Sequence, residues 1–472
     1  MCCRRTPDTH PGGADSSDGV LAMTAASEET RGRASGKDAA GPLGPWQRRI
    51  VWTCWLVGGL ARLIYLFLIH PAIAYVYSDM QGYVIRAEAL AAGRPETISD
   101  TLYPPGASWF FGALLSLDPS WTLVSIGQWV LSLGTMGMVW LIARRVYGNA
   151  AAVVALVIAT VYPPYFHYAA LFLAENGFTF FVLGSSWLLL RAVGARSWFV
   201  SGVFALGSGL AAGLATAFKN TMIAPLVVTV LVYLLSAWRG RDLRVWSVAV
   251  SVVIGFAILF APLSARCASL NEGRFCPGAN NLAMNVLMGH YGEKREFRWV
   301  DSKRGYMFDF TAVESTLRGY TEPVTLDFGA YDSARNWALA RKWVVEHPAQ
   351  ALSLSLRNVG SLFAARTLWP PLKWRGVDIG TLSQGFFLIV ILPPALLQLV
   401  RRAPWRGSSA LPQRLLVAPM SGLVLEVFVS ITEVRFRVPF DGLLIVLAAP
   451  VWCLLCPALP SRPDEGRSGC SG

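Results

Sequence analysis

The sequence predicts an all-α polytopic membrane protein, and three observations support this fold class. Hydrophobic residues make up 54% of the 472-residue chain and charged residues only 15%, whereas soluble proteins carry about 25% charged residues. The mean hydropathy is +0.45. Apolar runs of roughly 20 residues, the length that crosses a bilayer as a helix, recur along the chain. A soluble globular fold is therefore excluded.

Ten apolar runs are predicted to be transmembrane helices. They are residues 50–69, 121–143, 150–166, 169–190, 198–217, 221–237, 245–264, 380–400, 411–430 and 437–457. Residues 46–264 form an N-terminal transmembrane module with a first outer loop at 70–120, and residues 380–457 form the C-terminal transmembrane helices. Between them, residues 265–379 form a polar segment with charges of both signs.

Basic residues set the predicted orientation. The connections after the second, fourth, sixth and eighth runs read RRVYGN, RAVGARS, WRGRDLR and RRAPWRGSSALPQR, whereas YPPYFHYA, FKNT and TEVRFR occupy alternate connections. Short loops rich in Arg and Lys lie on the cytoplasmic side. The four basic loops and both chain termini are therefore predicted to be cytoplasmic. This distribution accounts for the net charge of +12 without a nucleic-acid partner.

The two ends of the chain are predicted to be disordered cytoplasmic tails. Residues 1–45 are rich in Gly, Ser, Asp and Pro and show no apolar period, and residues 458–472 are similarly polar. Such composition does not bury enough apolar surface to fold. The first tail also lacks the apolar core of a signal peptide, and Met23 is an alternative start of translation.

The segments 70–120 and 265–379 are predicted to lie on the outer side. FFGALLSL in the first is too short to span and is expected to lie at the membrane surface. In the second, residues 350–368 either lie in the interface or span the membrane, and spanning would reverse the orientation of every later helix. Cys267 and Cys276 in this segment are expected to form a disulfide if it is extracytoplasmic.

Asp79 is the first candidate for chemistry. It lies about ten residues after the first apolar run, in YSDMQGY, where tyrosines including Tyr77 and Tyr83 surround it. An ionisable group close to the bilayer is costly to desolvate and often functional, although a solvated loop aspartate would look the same. About twenty residues later, Tyr103 opens the rigid turn YPPG.

These segments resemble the outer loops of GT-C membrane glycosyltransferases, and most closely the bacterial protein O-mannosyltransferase and aminoarabinose transferase branch. The resemblance rests on the acid in YSDMQGY, the helix YVIRAEALAAG and the turn YPPG. It continues through VYPPYFHYAALFLAEN to TEVRFRVPFDG. In the aminoarabinose branch a lysine precedes the Pro-Pro turn, where this chain has Thr101, Leu102 and Tyr103. The same sugar is therefore not implied.

The resemblance implies a GT-C-like helical bundle in a bacterial inner membrane, with an extracytoplasmic active site. Such enzymes move a sugar from a polyprenyl-phosphate donor to a glycan, lipid or protein acceptor, in contact with membrane lipids. The second acid of the family corresponds to Glu175. Asp79 is the expected base for the acceptor, because a positioned carboxylate can take its proton.

Cations are expected to bind the donor phosphate, since charge develops on the leaving group. Arg435 and Arg437 are the first candidates because arginine offers several fixed donors to phosphate, and Lys219 is the third. Tyr77, Tyr83 and Tyr103 are expected to line the pocket. No clustered Cys and His set predicts a metal site, no cofactor is firmly implied, and a divalent cation is possible.

Other interpretations of the same residues remain open. Glu175 is also explained as a helix-end acid that its own first-turn amides satisfy, and Lys219 as a side chain that reaches the interface. A transporter or flippase of polyprenyl-linked glycans would need polar residues along a central path and often internal repeats, which the sequence does not show. A glycan polymerase or ligase would not need Asp79.

Overall fold

The computed structural model describes residues 41–76, 79–237, 243–290, 296–301, 308–314, 333–364, 373–374, 377–402 and 410–455. Nearly all of the predicted N-terminal tail and the whole predicted C-terminal tail lie outside the described residues, as does the predicted pocket residue Tyr77.

The described residues form seventeen α-helices, labelled here in chain order. They are α1 (Pro45–Ile64), α2 (Asp79–Ala91), α3 (Gly106–Leu115), α4 (Thr122–Tyr147), α5 (Asn149–Val161), α6 (Pro163–His167), α7 (Glu175–Gly194), α8 (Trp198–Phe218), α9 (Ile223–Ala237), α10 (Leu243–Leu270), α11 (Asn281–His290), α12 (Ser333–Glu346), α13 (Pro348–Leu362), α14 (Ile379–Phe386), α15 (Leu392–Arg402), α16 (Leu411–Val429) and α17 (Val434–Leu455). A π-helical turn, Tyr65–Ile69, prolongs α1, and another, Phe387–Ile391, joins α14 to α15. Short 3₁₀ turns lie at Ala72–Tyr75, Ile98–Thr101, Tyr168–Ala170 and Asn220–Met222.

Two short antiparallel hairpins accompany the helices. Strand β1 (Glu296–Asp301) pairs with β2 (Phe308–Glu314), and β3 (Lys373–Trp374) pairs with β4 (Val377–Asp378). Both hairpins fall in the polar segment 265–379, whereas the predicted fold class contained no strands. The predicted all-α fold class is confirmed for the membrane bundle.

The chain is a multi-pass membrane protein. Among the described residues, eight helices are long and apolar enough to cross a membrane, and the bent pair Asn149–Val161 and Pro163–Ala170 makes a ninth. The shorter apolar helix Asn220–Ser236 occupies the remaining predicted run. Each of the ten predicted runs therefore contains a helix, but among the described residues only eight, or nine with the bent pair, are long and apolar enough to span, so the predicted number of ten is not reached. Helix α13, which covers most of residues 350–368, does not meet the spanning criteria.

Ion pairs between distant segments define one end of the bundle. The start of α2, the start of α7, the end of α8 and the start of α17 meet there through Asp79, Glu175, Lys219 and Arg435, and this end is called here the site end. The two fully described basic connections, after α4 and α7, lie at the opposite end of α7, where the Arg145 side chain approaches Gly194. Helices α2, α3 and α11–α13 belong to the segments that connect at the site end.

A buried arginine donates hydrogen bonds to the free carbonyls at the break between α5 and α6. Pro163 and Pro164 have no amide hydrogen, so the carbonyls one turn earlier cannot form helical hydrogen bonds. These are the carbonyls of Ala159 and Thr160, which accept hydrogen bonds of 3.2 Å from Arg62 Nη2 and Nη1. Arg62 is fully buried, donates also to Ser132 Oγ at 2.9 Å, and lies over the Phe166 ring at 4.1 Å. The arginine therefore makes the 57° bend of this helix pair possible inside the bundle.

Glycines allow α8 and α10 to pack backbone against backbone. A Cβ on Gly209 would lie 2.0 Å from the Val252 carbonyl oxygen, and one on Gly255 would lie 2.2 Å from the Leu206 carbonyl oxygen. Small residues at helix contacts are typical of membrane bundles, where close packing replaces the hydrophobic effect as the driving force. This contact holds α8 against α10, and Lys219 follows the last residue of α8.

The polar segment packs onto the first loop at the site end. Leu102 lies in a buried cluster with Trp343 of α12 and apolar residues of α11 and α13. Asn280 Nδ2 donates to Thr101 Oγ1 at 2.9 Å, and the Asn280 amide donates to the Thr101 carbonyl at 2.7 Å. The disulfide expected between Cys267 and Cys276 is present. These contacts fix the turn that carries Tyr103.

Candidate active site

Asp79 is the first residue of α2, where the helix dipole favours a negative charge. Its two carboxylate oxygens have different partners. The Tyr103 hydroxyl donates to Asp79 Oδ1 at 3.2 Å, and Arg435 Nη1 donates to Asp79 Oδ2 at 3.0 Å. The Asp79 side chain is 14% exposed. The carboxylate is thus oriented by both partners and still accessible at one edge.

Glu175 is the first residue of α7, and its side chain is only 2% exposed. Lys219 Nζ, one residue after the end of α8, donates to Glu175 Oε1 at 2.8 Å. The same oxygen lies 3.9 Å from Arg435 Nη1. Glu175 is thus an acid at the start of a helix, and it also contacts Lys219 and Arg435, two of the cations predicted to bind phosphate.

Arg435 lies at the centre of the site, in the first turn of α17. Besides Asp79 and Glu175, it faces Glu433, whose Oε2 is 2.6 Å from Arg435 Nε. Arg435 and Asp79 are 356 residues apart in sequence. The Phe436 ring lies beneath both cations, with Lys219 Nζ 4.7 Å and Arg435 Cζ 5.6 Å from its centroid. Cation–π contacts of this kind hold the charged groups in place.

Tyr83 and Tyr103 form an aromatic wall beside Asp79. Their ring centroids are 5.5 Å apart, and Tyr83 is 5% exposed. Desolvation, followed by the negative charges of Glu175 and Asp79, raises the pKa of Tyr83. Desolvation and then Asp79 raise the pKa of Tyr103 well above its usual value. Both phenols therefore stay protonated at neutral pH, and Tyr103 can keep donating to Asp79.

Arg437 belongs to a different set of contacts, although the sequence grouped it with Arg435. Its guanidinium is fully buried and donates from Nε to Asp441 Oδ1 at 2.9 Å. The other nitrogens donate to the Leu362 carbonyl at 3.0 Å and to Gln384 Oε1 at 3.3 Å, while Tyr162 donates to Asp441 Oδ2 at 2.6 Å. The structure does not bring Arg437 to Asp79. Its buried pairing fits an anchor for the start of α17.

Glu433 is the site residue that sequence reasoning missed. Its side chain is 33% exposed, more than Asp79 or Glu175, and it lies just before α17 rather than within a regular helix. The motif TEVRFR carried the signal, because an acid two residues before a candidate arginine can pair with it. With Glu433 included, three carboxylates face two cations, Lys219 and Arg435.

In the part of the chain that the structure describes, no group of three His, Cys, Asp or Glu residues is placed to hold a metal ion.

Comparison with known proteins confirms the resemblance to GT-C glycosyltransferases. Residues 103–265 match the family model for dolichyl-phosphate-mannose-protein mannosyltransferase. The matched part contains Glu175 and Lys219 and excludes Asp79 and Arg435. No curated protein sequence matches the chain.

Solved structures are similar in fold. An oligosaccharyltransferase from Archaeoglobus fulgidus, solved with zinc and sulfate, has a TM-score of 0.51 at 12% identity, over 86% of this chain and 49% of that one. The archaeal oligosaccharyltransferase AglB from the same organism, in complex with an inhibitory peptide and a dolichol-phosphate, has a TM-score of 0.50 at 11% identity, over 89% of this chain and 53% of that one. ArnT from Cupriavidus metallidurans bound to undecaprenyl phosphate has a TM-score of 0.39 at 16% identity, over 86% of this chain and 80% of that one. The chain spans about half the length of the archaeal proteins, and the likeness to them establishes the fold.

Proposed function

We propose that this chain is a membrane glycosyltransferase that moves a sugar from a polyprenyl-phosphate donor to an acceptor. One observation carries the proposal: four segments far apart in sequence bring two carboxylates, Asp79 and Glu175, together with two cations, Arg435 and Lys219, at one end of a membrane bundle. Arg435 pairs with Asp79 and lies 3.9 Å from Glu175, and Lys219 pairs with Glu175. The match to a mannosyltransferase family model and the dolichol-phosphate and undecaprenyl phosphate of the similar structures support this donor class.

Asp79 is the proposed general base. Its Oδ1 and Oδ2 are held by Tyr103 and Arg435, so the carboxylate has a fixed direction from which to meet the acceptor. The acceptor oxygen forms a bond to the anomeric carbon while its proton passes to Asp79. The bond from that carbon to the phosphate oxygen breaks, and its electron pair leaves with the polyprenyl phosphate. A single displacement of this kind inverts the anomeric configuration.

Arg435 and Lys219 are proposed to neutralise the charge that develops on the departing phosphate. Both contact the face of Phe436 and lie within 4 Å of Glu175. Because Glu175 is almost completely buried, it is better suited to position the two cations than to touch the acceptor. We therefore propose Glu175 as a positioning residue for the phosphate-binding pair.

The proposed location is a bacterial inner membrane, with the site end extracytoplasmic and both chain termini cytoplasmic. This orientation is supported by the four arginine-rich connections of the sequence, because short basic loops lie on the cytoplasmic side. The two that the structure fully describes, after α4 and α7, lie at the end of α7 opposite Glu175. Donor and acceptor would then meet outside the cytoplasm, where a glycan, lipid or protein acceptor is available.

The test uses the purified full chain with a panel of polyprenyl-phosphate sugars and scores release of polyprenyl phosphate. The Asp79→Asn variant is expected to lose transfer by about 10²–10⁴-fold, the contribution typical of a general base, while donor binding persists. Asp118→Asn is the matched control, because Asp118 lies in the same loop and hydrogen-bonds to the nearby residues Ser120 and Leu123, away from the candidate site. Full transfer by folded Asp79→Asn would refute the role of Asp79 as base, and no consumption of any donor by the wild-type chain would refute the function.

A further inference from the structure

A second polar cleft lies at the site end, beside the candidate active site. It has a volume of about 280 Å³ including its opening to solvent. Its lining joins the end of α2, the loop that follows, the start of α3 and Arg266 near the end of α10. None of the roles proposed above uses this cleft.

Backbone geometry fixes the wall that carries Arg94. Helix α2 ends at Gly93, which adopts a positive φ of 68°. The Gly93 amide donates to the Leu90 carbonyl at 3.0 Å, and the Arg94 amide donates to the Ala89 carbonyl at 2.9 Å. This is a Schellman cap, which ends helices in a fixed geometry. Residues Ala89, Leu90 and Arg94 all line the cleft, so this wall is rigid.

The charged lining is predominantly basic. Arg86, Arg94 and Arg266 face two acids, Glu96 and Asp100. Arg266 Nε donates to Glu96 Oε2 at 2.7 Å, which makes this pair close. Arg86 Nε lies 3.5 Å from Asp100 Oδ1, a looser contact. The side chains that line the cleft therefore carry a net charge of one positive unit.

Buried donors without partners point to a missing ligand. Arg86 is 5% exposed and Ser108 is 1% exposed, and both line the cleft. Among the described residues, Arg86 Nη1, Ser108 Oγ and Arg266 Nη1 have no hydrogen-bond partner. Buried polar groups are nearly always paired, and leaving a charged one unpaired is costly. Desolvation also lowers the pKa of Arg86, as expected of a buried cation whose charge is incompletely balanced.

We propose that this cleft is an oxyanion-binding site that takes a phosphate or carboxylate group. The planar guanidinium groups of Arg86 and Arg266 match such groups in geometry, and the Ser108 hydroxyl can donate a further hydrogen bond. The site is separate from the proposed donor phosphate site at Arg435.

The cleft is connected to the candidate active site through one side chain. The Arg86 guanidinium lies over the Tyr103 ring at 5.2 Å, and the Tyr103 hydroxyl donates to Asp79. An anion on Arg86 is thus one ring away from the proposed base. If the proposed function holds, on which this last step rests, the oxyanion belongs to the acceptor and orients its nucleophile toward Asp79.

The binding test titrates inorganic phosphate into the purified full chain at constant ionic strength and follows the thermal unfolding midpoint, since a ligand stabilises the state that it binds. Phosphate can also occupy the donor site, so the comparison includes Arg435→Gln. Saturable stabilisation is expected to persist in Arg435→Gln and to weaken at least tenfold in apparent affinity in Arg86→Gln. Arg274→Gln is the control, because this arginine is 61% exposed and lies outside the cleft.

Ser108→Ala removes only one buried hydroxyl and keeps the test valid if Arg86→Gln does not fold. It is expected to weaken phosphate binding by about threefold to tenfold. Binding that is abolished in Arg435→Gln, or unchanged in both cleft variants, would overturn the proposal. This result does not depend on transfer, so it is distinct from failure of the proposed function.

A transfer assay with phosphate as inhibitor distinguishes an oxyanion that belongs to the acceptor from a free anion. Inhibition that is competitive with the acceptor, with an inhibition constant raised about threefold to tenfold in Ser108→Ala, assigns the cleft to the acceptor. Saturable binding at the cleft without inhibition supports a site for a free anion. Inhibition that is competitive with the donor and weakened to the same extent in Ser108→Ala would contradict a site separate from Arg435.

Discussion

Arg435 is surrounded by Asp79, Glu175 and Glu433, and this determines what a donor phosphate must displace in order to bind. Glu175 is buried and paired with Lys219, and Asp79 is held by Tyr103. Glu433 is the most exposed of the three carboxylates and lies outside a regular helix. It is therefore the acid that can most readily leave Arg435 when a phosphate arrives.

Glu433→Gln is expected to increase the affinity for a polyprenyl-phosphate donor by about two- to fivefold. The reason is that a partly exposed ion pair contributes about 0.2–1 kcal/mol, and this contribution no longer opposes phosphate binding. The measurement is the donor Kd of the purified variant, with Glu272→Gln as an exposed control. Weaker donor binding by Glu433→Gln would show that Glu433 helps to hold the donor instead.

Tyr103 and Tyr83 link the site to alkaline stability. Their pKa values are raised in the folded chain, so their contribution is complete below the unfolded tyrosine pKa of about 10. It decreases as pH rises above this value, because the folded state then binds more protons than the unfolded state. Tyr103→Phe is expected to make the free energy of unfolding less steep between pH 10 and 11, by up to about 1.4 kcal/mol per pH unit. Denaturant unfolding at several pH values tests this, and an unchanged slope would contradict it.

At the scale of elements, the break between α5 and α6 depends on a residue from α1. Two prolines remove helical hydrogen bonds inside the bundle, and Arg62 supplies donors to the carbonyls they leave free. The chain between this break and α7 leads directly to Glu175. The Pro-Pro pair is a local sequence feature, and a side chain distant in sequence supplies the hydrogen bonds that it removes. The bend at this pair in turn helps to set the position of Glu175, the second site acid.

Arg62→Met is expected to lower the free energy of unfolding by about 3 kcal/mol or more, because hydrogen bonds from a charged group contribute about 1.5–3 kcal/mol each. Thermal unfolding in detergent measures the effect, with Arg48→Met as the matched control, since Arg48 is an exposed arginine of the same helix. Replacing Pro163 and Pro164 by alanine in the Arg62→Met background restores two amide donors and is expected to recover part of the loss. Stability equal to wild type in Arg62→Met would contradict the role of Arg62.

On the scale of the whole molecule, the charged pairs of the candidate site gather at one end of the bundle. Asp79, Glu175, Lys219 and Arg435 share the site end, whereas the fully described arginine-rich connections, after α4 and α7, lie at the other end. The disulfide between Cys267 and Cys276 and the packing of Leu102 against Trp343 tie the polar segment to the site end.

Cysteine labelling in intact cells tests the orientation. Leu117→Cys lies in the first loop at a position that is 77% exposed and is expected to react with a membrane-impermeant maleimide. Arg196→Cys, exposed in a basic connection, is expected to react only after lysis. The reverse labelling pattern would place the site in the cytoplasm and remove the proposed access to outer acceptors.

The sequence by itself determined the bundle and its likeness to GT-C glycosyltransferases, because apolar length and the YPPG and Pro-Pro turns are local properties. It also identified Asp79, Glu175, Lys219 and Arg435 as candidates. Only the tertiary structure decided that Arg435 meets Asp79 whereas Arg437 pairs with Asp441. Residues two apart on a helix point about 200° from each other, so one of the two arginines had to face away. Which one faced Asp79 depended on contacts with segments hundreds of residues away in the sequence.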